Sequence, residues 1–132
     1  MRAFNIEIVT PDGLEYGGEA ESLLVRTTEG DVEILAGHTD FLASLSTGTA
    51  RLIIDGQKRL ASTSGGFLSV KGGKVRMCAT TFEFAEDIDL KRAEDAKARA
   101  EAALSMAKDE REMRIARAKI MRAASRINVA KK

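Results

Sequence analysis

Four arginines in the last third of the chain are spaced for joint work. Arg92 and Arg99 are seven residues apart, and Arg122 and Arg126 are four apart, so on helices each pair shares a face. A guanidinium is a planar fork of donors that matches phosphate oxygens. If the two helices pack with those faces adjacent, four like charges converge, and they repel unless an anion sits between them. Glu83 and Asp89, close by in sequence, suit a base amino group or a ribose hydroxyl. From spacing alone the simpler reading is a solvated helix face with i,i+4 ion pairs.

The chain divides sharply around these residues. All eleven glycines, the single proline and all six aromatics precede Ala85. The segment 86–132 contains none of them and is rich in Ala, Arg, Lys and Glu, which are strong helix formers. Asp87 or Asp89 is placed to cap a first helix. Leu90, Ala93, Ala96, Ala100, Ala103, Leu104 and Ala107 then recur at helical spacing. Ser105 to Glu110 is the only candidate break, and Asp109 with Glu112 reads as a capping box opening a second helix. Met113, Ala116, Ile120, Ala124 and Ile127 supply the facing stripe, which predicts a helical hairpin. The stripes are mostly alanine, whereas each buried leucine-sized side chain contributes about 1.5–3 kcal/mol. Such a hairpin is weakly docked. Its break has no Gly or Pro, so compact pair and extended rod are both expected to be accessible.

The segment 1–85 reads as short strands. Phe4, Ile6 and Ile8 alternate with polar residues. Turn chemistry follows at Thr10-Pro11-Asp12-Gly13 and at Thr28-Glu29-Gly30-Asp31, with strands at Leu23–Val25 and Val32–Leu35. Asp55-Gly56 and Lys71-Gly72-Gly73-Lys74 mark two hairpins, the first between Arg51–Ile54 and Arg59–Ser62, the second between Phe67–Val70 and Val75–Ala79. An antiparallel sandwich or barrel is expected. Its core candidates are Phe4, Ile6, Ile8, Leu23, Val25, Ile34, Leu52, Ile54, Phe67, Val75 and Met77. Ser64-Gly65-Gly66 is followed by a strand rather than a helix, so it reads as a bulge or a close backbone approach instead of a phosphate cradle. His38 has no second histidine to work with, and no catalytic constellation is present. Cys78 reads as a half-buried structural residue.

Composition narrows the classes. An apolar fraction of 44% suits a globular chain, and no apolar run approaches the roughly 18 residues of a membrane span. One cysteine excludes an internal disulfide, and one histidine beside it excludes a Cys/His zinc site. The N-terminus reads as a strand rather than a signal peptide, so the simplest compartment is the cytosol. Residues 1–85 hold 8 Lys/Arg against 11 Asp/Glu, whereas residues 86–132 hold 13 against 9. From Arg111 onward eight Lys/Arg face one acid, Glu112, so the arm asks for an anionic partner: nucleic acid, an acidic protein surface or a nucleotide. The absence of aromatics from the arm argues against single-strand stacking. A constitutive assembly clamp is the other alternative.

The residues resemble a known family over essentially the whole chain: the epsilon subunit of bacterial F-type ATP synthase. Val9-Thr10-Pro11-Asp12-Gly13, Thr28-Glu29-Gly30-Asp31, Gly37-His38, Ser64-Gly65-Gly66-Phe67-Leu68 and Ala85-Glu86-Asp87-Ile88-Asp89 stand in the family's order and spacing, as does the basic C-terminal helix. Glu33, Ala36 and Asp40 depart from it, standing where Gly, Pro and Pro are usual around the His38 loop. The resemblance implies a β + α fold: an N-terminal antiparallel β-sandwich of about ten strands over residues 1–85 and a C-terminal two-helix hairpin over residues 86–132.

It also implies a function. The chain is expected to be a non-catalytic rotor subunit of the central stalk. The sandwich would bind the gamma subunit and the membrane ring of c subunits, with Asp31 and His38 in the contacting loops. The helices would inhibit ATP hydrolysis when extended into the alpha/beta catalytic head. In ATP-binding members the motif Ile/Leu-Asp-x-x-Arg-Ala holds the nucleotide, and Ile88-Asp89-Leu90-Lys91-Arg92-Ala93 matches it fully. The site carried over comprises Glu83, Ile88, Asp89, Arg92, Ala93, Arg99, Arg122 and Arg126. ATP is the regulatory ligand, with or without Mg2+. The resemblance thus favours a shared anion over a solvated face. It implies a peripheral protein at the cytoplasmic face of the bacterial cell membrane, with no membrane insertion and no nucleic acid.

Overall fold

The computed structural model describes residues 2–132. Ten strands precede two helices: β1 (Phe4–Thr10), β2 (Gly13–Ala20), β3 (Ser22–Thr27), β4 (Gly30–Leu35), β5 (Phe41–Ser44), β6 (Gly48–Ile54), β7 (Gln57–Ser64), β8 (Phe67–Lys71), β9 (Lys74–Cys78), β10 (Thr81–Phe84), α1 (Leu90–Ser105) and α2 (Glu110–Ala130). A short 3-10 turn, Ala85–Asp87, joins the two parts. One sheet has the order β2-β1-β9-β8-β5 and the other β10-β7-β6-β3-β4. They form the expected sandwich, with one parallel pairing, β1 on β9, in an otherwise antiparallel pattern.

Local chemistry sets the turns. Asp55 and Gly56 both have positive φ, 50° and 76°, as the tight β6–β7 hairpin requires, and Gly72 and Gly73 do the same between β8 and β9. Glu21 accepts hydrogen bonds from the Asp55 and Gly56 amides at 3.1 and 2.8 Å, closing the first turn from outside. Ser64-Gly65-Gly66 is a close approach: a Cβ on Gly66 would lie 1.8 Å from the Cys78 carbonyl oxygen.

Ile8, Leu23, Ile34, Leu52, Leu68 and Met77 are fully buried between the sheets. Two core expectations fail. Phe67 is 46% exposed, and Ile54 only packs against the margin of the core. In β8 both alternation phases carry apolar residues, and cross-strand pairing selects Leu68 and Val70, opposite the inward Met77 and Val75. Three strands escaped the sequence reading. β2 is a glycine-rich edge strand with one buried residue, Ala20, held by backbone pairing to β1. β5 and β10 have only four residues each, too short for a periodic signal.

The helices form the expected hairpin. Asp89 caps α1, its Oδ1 accepting from the Arg92 amide at 3.1 Å, and Asp109 caps α2 by accepting from the Glu112 amide at 2.8 Å. Glu112 reaches back to the Lys108 amide, one residue earlier than a standard capping box. Ala93, Ala100, Ala116, Ala123 and Val129 are the buried helical residues. The α2 stripe thus runs through Ala123 rather than Ala124, and Ala103 on α1 is exposed.

The second helix docks on the outer face of β6 and β7 and reaches β10 through Glu83. In β10, Phe82 and Phe84 point into the core, which turns Glu83 outward. Glu83 pairs across the strands with Ser62. Those two neighbours meet two consecutive residues of α2: Ser62 bonds Ser125 at 2.8 Å, and Glu83 bonds Arg126. Ser125 also donates to the Gly48 carbonyl at 3.2 Å.

Candidate functional site

The docking of α2 closes a cavity of about 370 Å³ against the start of α1, within the usual size range of ligand pockets, roughly 300–1,000 Å³. Glu83 contributes from β10, Ile88 and Asp89 from the linker, Arg92, Ala93 and Arg99 from α1, and Arg126 from α2. Seven of the eight residues expected at a ligand site therefore line one cavity. Arg122 is not among them; it is half-buried one helical turn before Arg126. Asp87 and Ala96 line the cavity and were not expected there. Ala96 stands four residues after Arg92 and three before Arg99, a spacing that could have found it.

The electrostatics differ from one arginine to the next. Arg126 Nε lies 3.2 Å from Glu83 Oε1, with both side chains about one-third exposed. Arg92 and Arg99 are exposed and take part in no ion pair among the described residues. Asp89 keeps one carboxylate oxygen engaged as the cap of α1. The first turn of that helix thus lies beside the cavity, and its positive end favours negative charge there. Three guanidinium groups and three carboxylates, those of Glu83, Asp87 and Asp89, around one space suit a ligand that is anionic at one end and a hydrogen-bond donor at the other.

The linker itself is anchored. Arg59 on β7 stacks over the Phe84 ring, 3.8 Å from its centroid, and Arg59 Nε donates to Glu86 Oε1 at 3.1 Å. Backbone hydrogen bonding first, and then Arg59, hold the Glu86 carboxyl below its ordinary value. Tyr16 packs edge-on to the same Phe84 ring, and burial raises its pKa.

A larger groove, about 760 Å³, runs beside α2 over the outer face of the second sheet, between Leu24, Leu60 and Met121. Of the residues expected to function it holds only Asp31. The smaller cavity is the better candidate, because convergent polar groups rather than volume distinguish a site. Asp31 and His38 stand elsewhere, near opposite ends of β4. That strand runs about 17 Å at 3.4 Å per residue. Asp31 is exposed and ion-paired with Arg26 at 2.6 Å. His38 is half-buried, with Nδ1 2.7 Å from the Thr39 carbonyl and its ring edge-on to Phe41. Asp40, one of the departures in this loop, accepts from the Gly72 amide at 3.0 Å and ties the loop to the β8–β9 hairpin.

No helix among the described residues is long and apolar enough to cross a membrane. Residues 3–85 match the family model described as ATP synthase, Delta/Epsilon chain, beta-sandwich domain. Residues 86–131 match its long alpha-helix domain. The chain is 43% identical over 130 residues to the ATP synthase epsilon chain of Bacillus velezensis, covering 98% of each. It is 39% identical over 132 residues to that of Bacillus pumilus, covering all of both. Its fold is similar to a chain in the Euglena gracilis mitochondrial ATP synthase OSCP/F1/c-ring structure, with a TM-score of 0.81 at 22% identity, over 98% of this chain and 82% of that one. With both parts of the chain matched and identity near 40% over its full length, the chain belongs to the ATP synthase delta/epsilon chain family.

Proposed function

We propose that the chain is a non-catalytic central-stalk subunit of an F-type ATP synthase and that its helical arm senses ATP. One observation carries the sensing role: Glu83, Ile88, Asp89, Arg92, Ala93 and Arg99 surround a single cavity that the docked α2 completes with Arg126. Phosphates would lie against Arg92, Arg99 and Arg126, with Arg122 flanking. Adenine or ribose would lie toward Glu83, Ile88 and Asp89. Among the described residues no three His, Cys, Asp or Glu side chains are grouped to hold a metal ion. A magnesium ion would therefore arrive on the phosphates.

The energetics suit a switch. The hairpin buries four alanines and Val129, and its polar ties to the sandwich are Ser125 with Ser62 and Gly48 and Arg126 with Glu83. A ligand that binds only this form stabilises it by RT ln(1 + [L]/Kd), about 4 kcal/mol at a thousandfold excess over Kd. Moving a two-state population from 1:99 to 99:1 needs about 5.5 kcal/mol. When ATP falls, the arm extends. The α1–α2 loop has no glycine to enforce its bend, so it can join the two helices. The basic second helix then enters the catalytic head and stops hydrolysis. The sandwich joins the gamma subunit to the ring of c subunits. Asp31 and His38, a strand length apart, serve two different contacts. The subunit sits peripherally at the cytoplasmic face of the membrane.

The test is a distance probe on each helix, read while ATP is titrated into the full chain. The expected result is a shift toward the short distance, lost in Arg92→Ala. An unchanged response in Arg92→Ala rejects this site. Absence of ATP binding in a chain that still assembles makes the arm a constitutive clamp.

A further inference from the structure

We infer that Asp109 and Glu112 are the latch of the arm: their carboxylates hold the two helices in a hairpin by occupying two backbone amides that a continuous helix would need. The inference rests on the arm-extension part of the reading above, and not on the nucleotide.

The bend between α1 and α2 has little else to keep it. Ser105 to Glu110 contains no Gly or Pro, and no residue in it has a positive φ. All of these residues are exposed except Ala107, which is half-buried. The helical path is interrupted at Asp109, whose backbone is extended, with φ −146° and ψ 172°. Two side chains complete the bend. Asp109 Oδ1 accepts from the Glu112 amide at 2.8 Å, and Glu112 Oε2 accepts from the Lys108 amide at 2.8 Å.

In an uninterrupted α-helix each amide donates to the carbonyl four residues earlier. The Lys108 amide would then donate to Leu104, and the Glu112 amide to Lys108. Each amide has one hydrogen, so the carboxylate and the carbonyl compete for it. Met113 already donates to the Asp109 carbonyl at 3.1 Å, so that bond is common to both forms and favours neither. Straightening also removes a helix end. Glu110 and Glu112 stand in the first turn of α2, beside its positive pole, which is lost once α1 runs on into α2. Asp109 would then sit in a helix interior, where aspartate is less favourable than alanine. All three effects favour the bent form. All reside in acidic side chains outside the cavity of Arg92 and Arg99, so they bias the arm whether or not a ligand is bound.

The test places spin labels at Glu94→Cys and Lys119→Cys in the full chain, with Cys78→Ser. These sites lie eleven residues before the end of α1 and nine after the start of α2, so in the hairpin they are nearly level. Packed helices lie roughly 8–10 Å apart. Along one continuous helix the two sites are about 37 Å apart, at about 1.5 Å per residue. Without ATP, Asp109→Ala should raise the ratio of long to short distances about tenfold, from the lost cap and the better helix former together. Asp109→Asn still caps and should stay near the unsubstituted ratio. Glu112→Ala should move the same way as Asp109→Ala, and Glu112→Gln should move little. The helical circular dichroism of the alanine variants should not fall, because the arm straightens rather than melts. Short distances alone in a chain carrying both alanines, or a helical signal that falls as the arm opens, overturn the inference. Long distances that ATP fails to shorten leave the latch standing and remove the nucleotide site.

Discussion

Ser125 of α2 and Ser62 of β7 share a hydrogen bond of 2.8 Å, although 63 residues separate them. With the Ser125–Gly48 hydrogen bond and the neighbouring Glu83–Arg126 pair it forms the polar part of the seam between arm and sandwich. A neutral hydrogen bond contributes about 0.5–1.5 kcal/mol net. Ser125→Ala should therefore loosen the arm without unfolding the sandwich. A distance probe across the seam should broaden, while the denaturation midpoint of the β module stays in place.

Arg92→Ala and Arg122→Ala should separate cleanly. Arg92 lines the cavity and Arg122 does not. A charge-assisted hydrogen bond to phosphate contributes about 1.5–3 kcal/mol, so Arg92→Ala should weaken ATP binding by roughly ten- to a hundredfold. Arg122→Ala should weaken it by less than about threefold, the scale of a screened charge a turn away. Calorimetry with ATP measures both. A larger loss at Arg122 than at Arg92 would invert the arrangement of the site.

Gly66 tests the turn that links the two sheets. Its φ is 91°, and an added Cβ would strike the Cys78 backbone, with no flexible side chain to give way. Gly66→Ala should destabilise the sandwich by about 3 kcal/mol or more. Gly73→Ala, at φ 80° but with nothing within 4 Å, meets only backbone strain and should cost less. Urea denaturation of the two variants gives the comparison.

The Arg59–Glu86 tie should depend on pH in a defined sense. Its native pKa is lowered, so the unfolded carboxyl binds protons first as pH falls. The stabilisation is complete above the ordinary value of 4.5 and is lost as pH drops below it through the lowered native value. Linker mobility, read by a label near Asp87, should rise over that window. In Glu86→Gln the same label should be insensitive to pH there.

Much of the fold was legible where local chemistry decides. The Asp55-Gly56 and Gly72-Gly73 hairpins follow from positive φ, and the starts of both helices follow from the Asp89 and Asp109 caps. Phe67 was misread because the two faces of β8 look alike until Met77 and Val75 come to lie opposite Leu68 and Val70. β2 was missed because its glycines pack almost nothing and are held by the backbone of β1.

The candidate site divides along the same line. Helical periodicity sets Arg92, Ala96 and Arg99 on one face of α1, whatever that helix packs against, because a residue's direction on a helix depends only on its number. Tertiary structure alone brought Arg126 to that face and left Arg122 aside. The rotation of α2 about its axis depends on how Ala123, Ser125 and Val129 seat against α1 and the sandwich, and those contacts join residues far apart in the chain. Nor could any local pattern join Glu83 to Arg126. That pair needs both the outward turn of β10 and the docked helix, and these are products of packing.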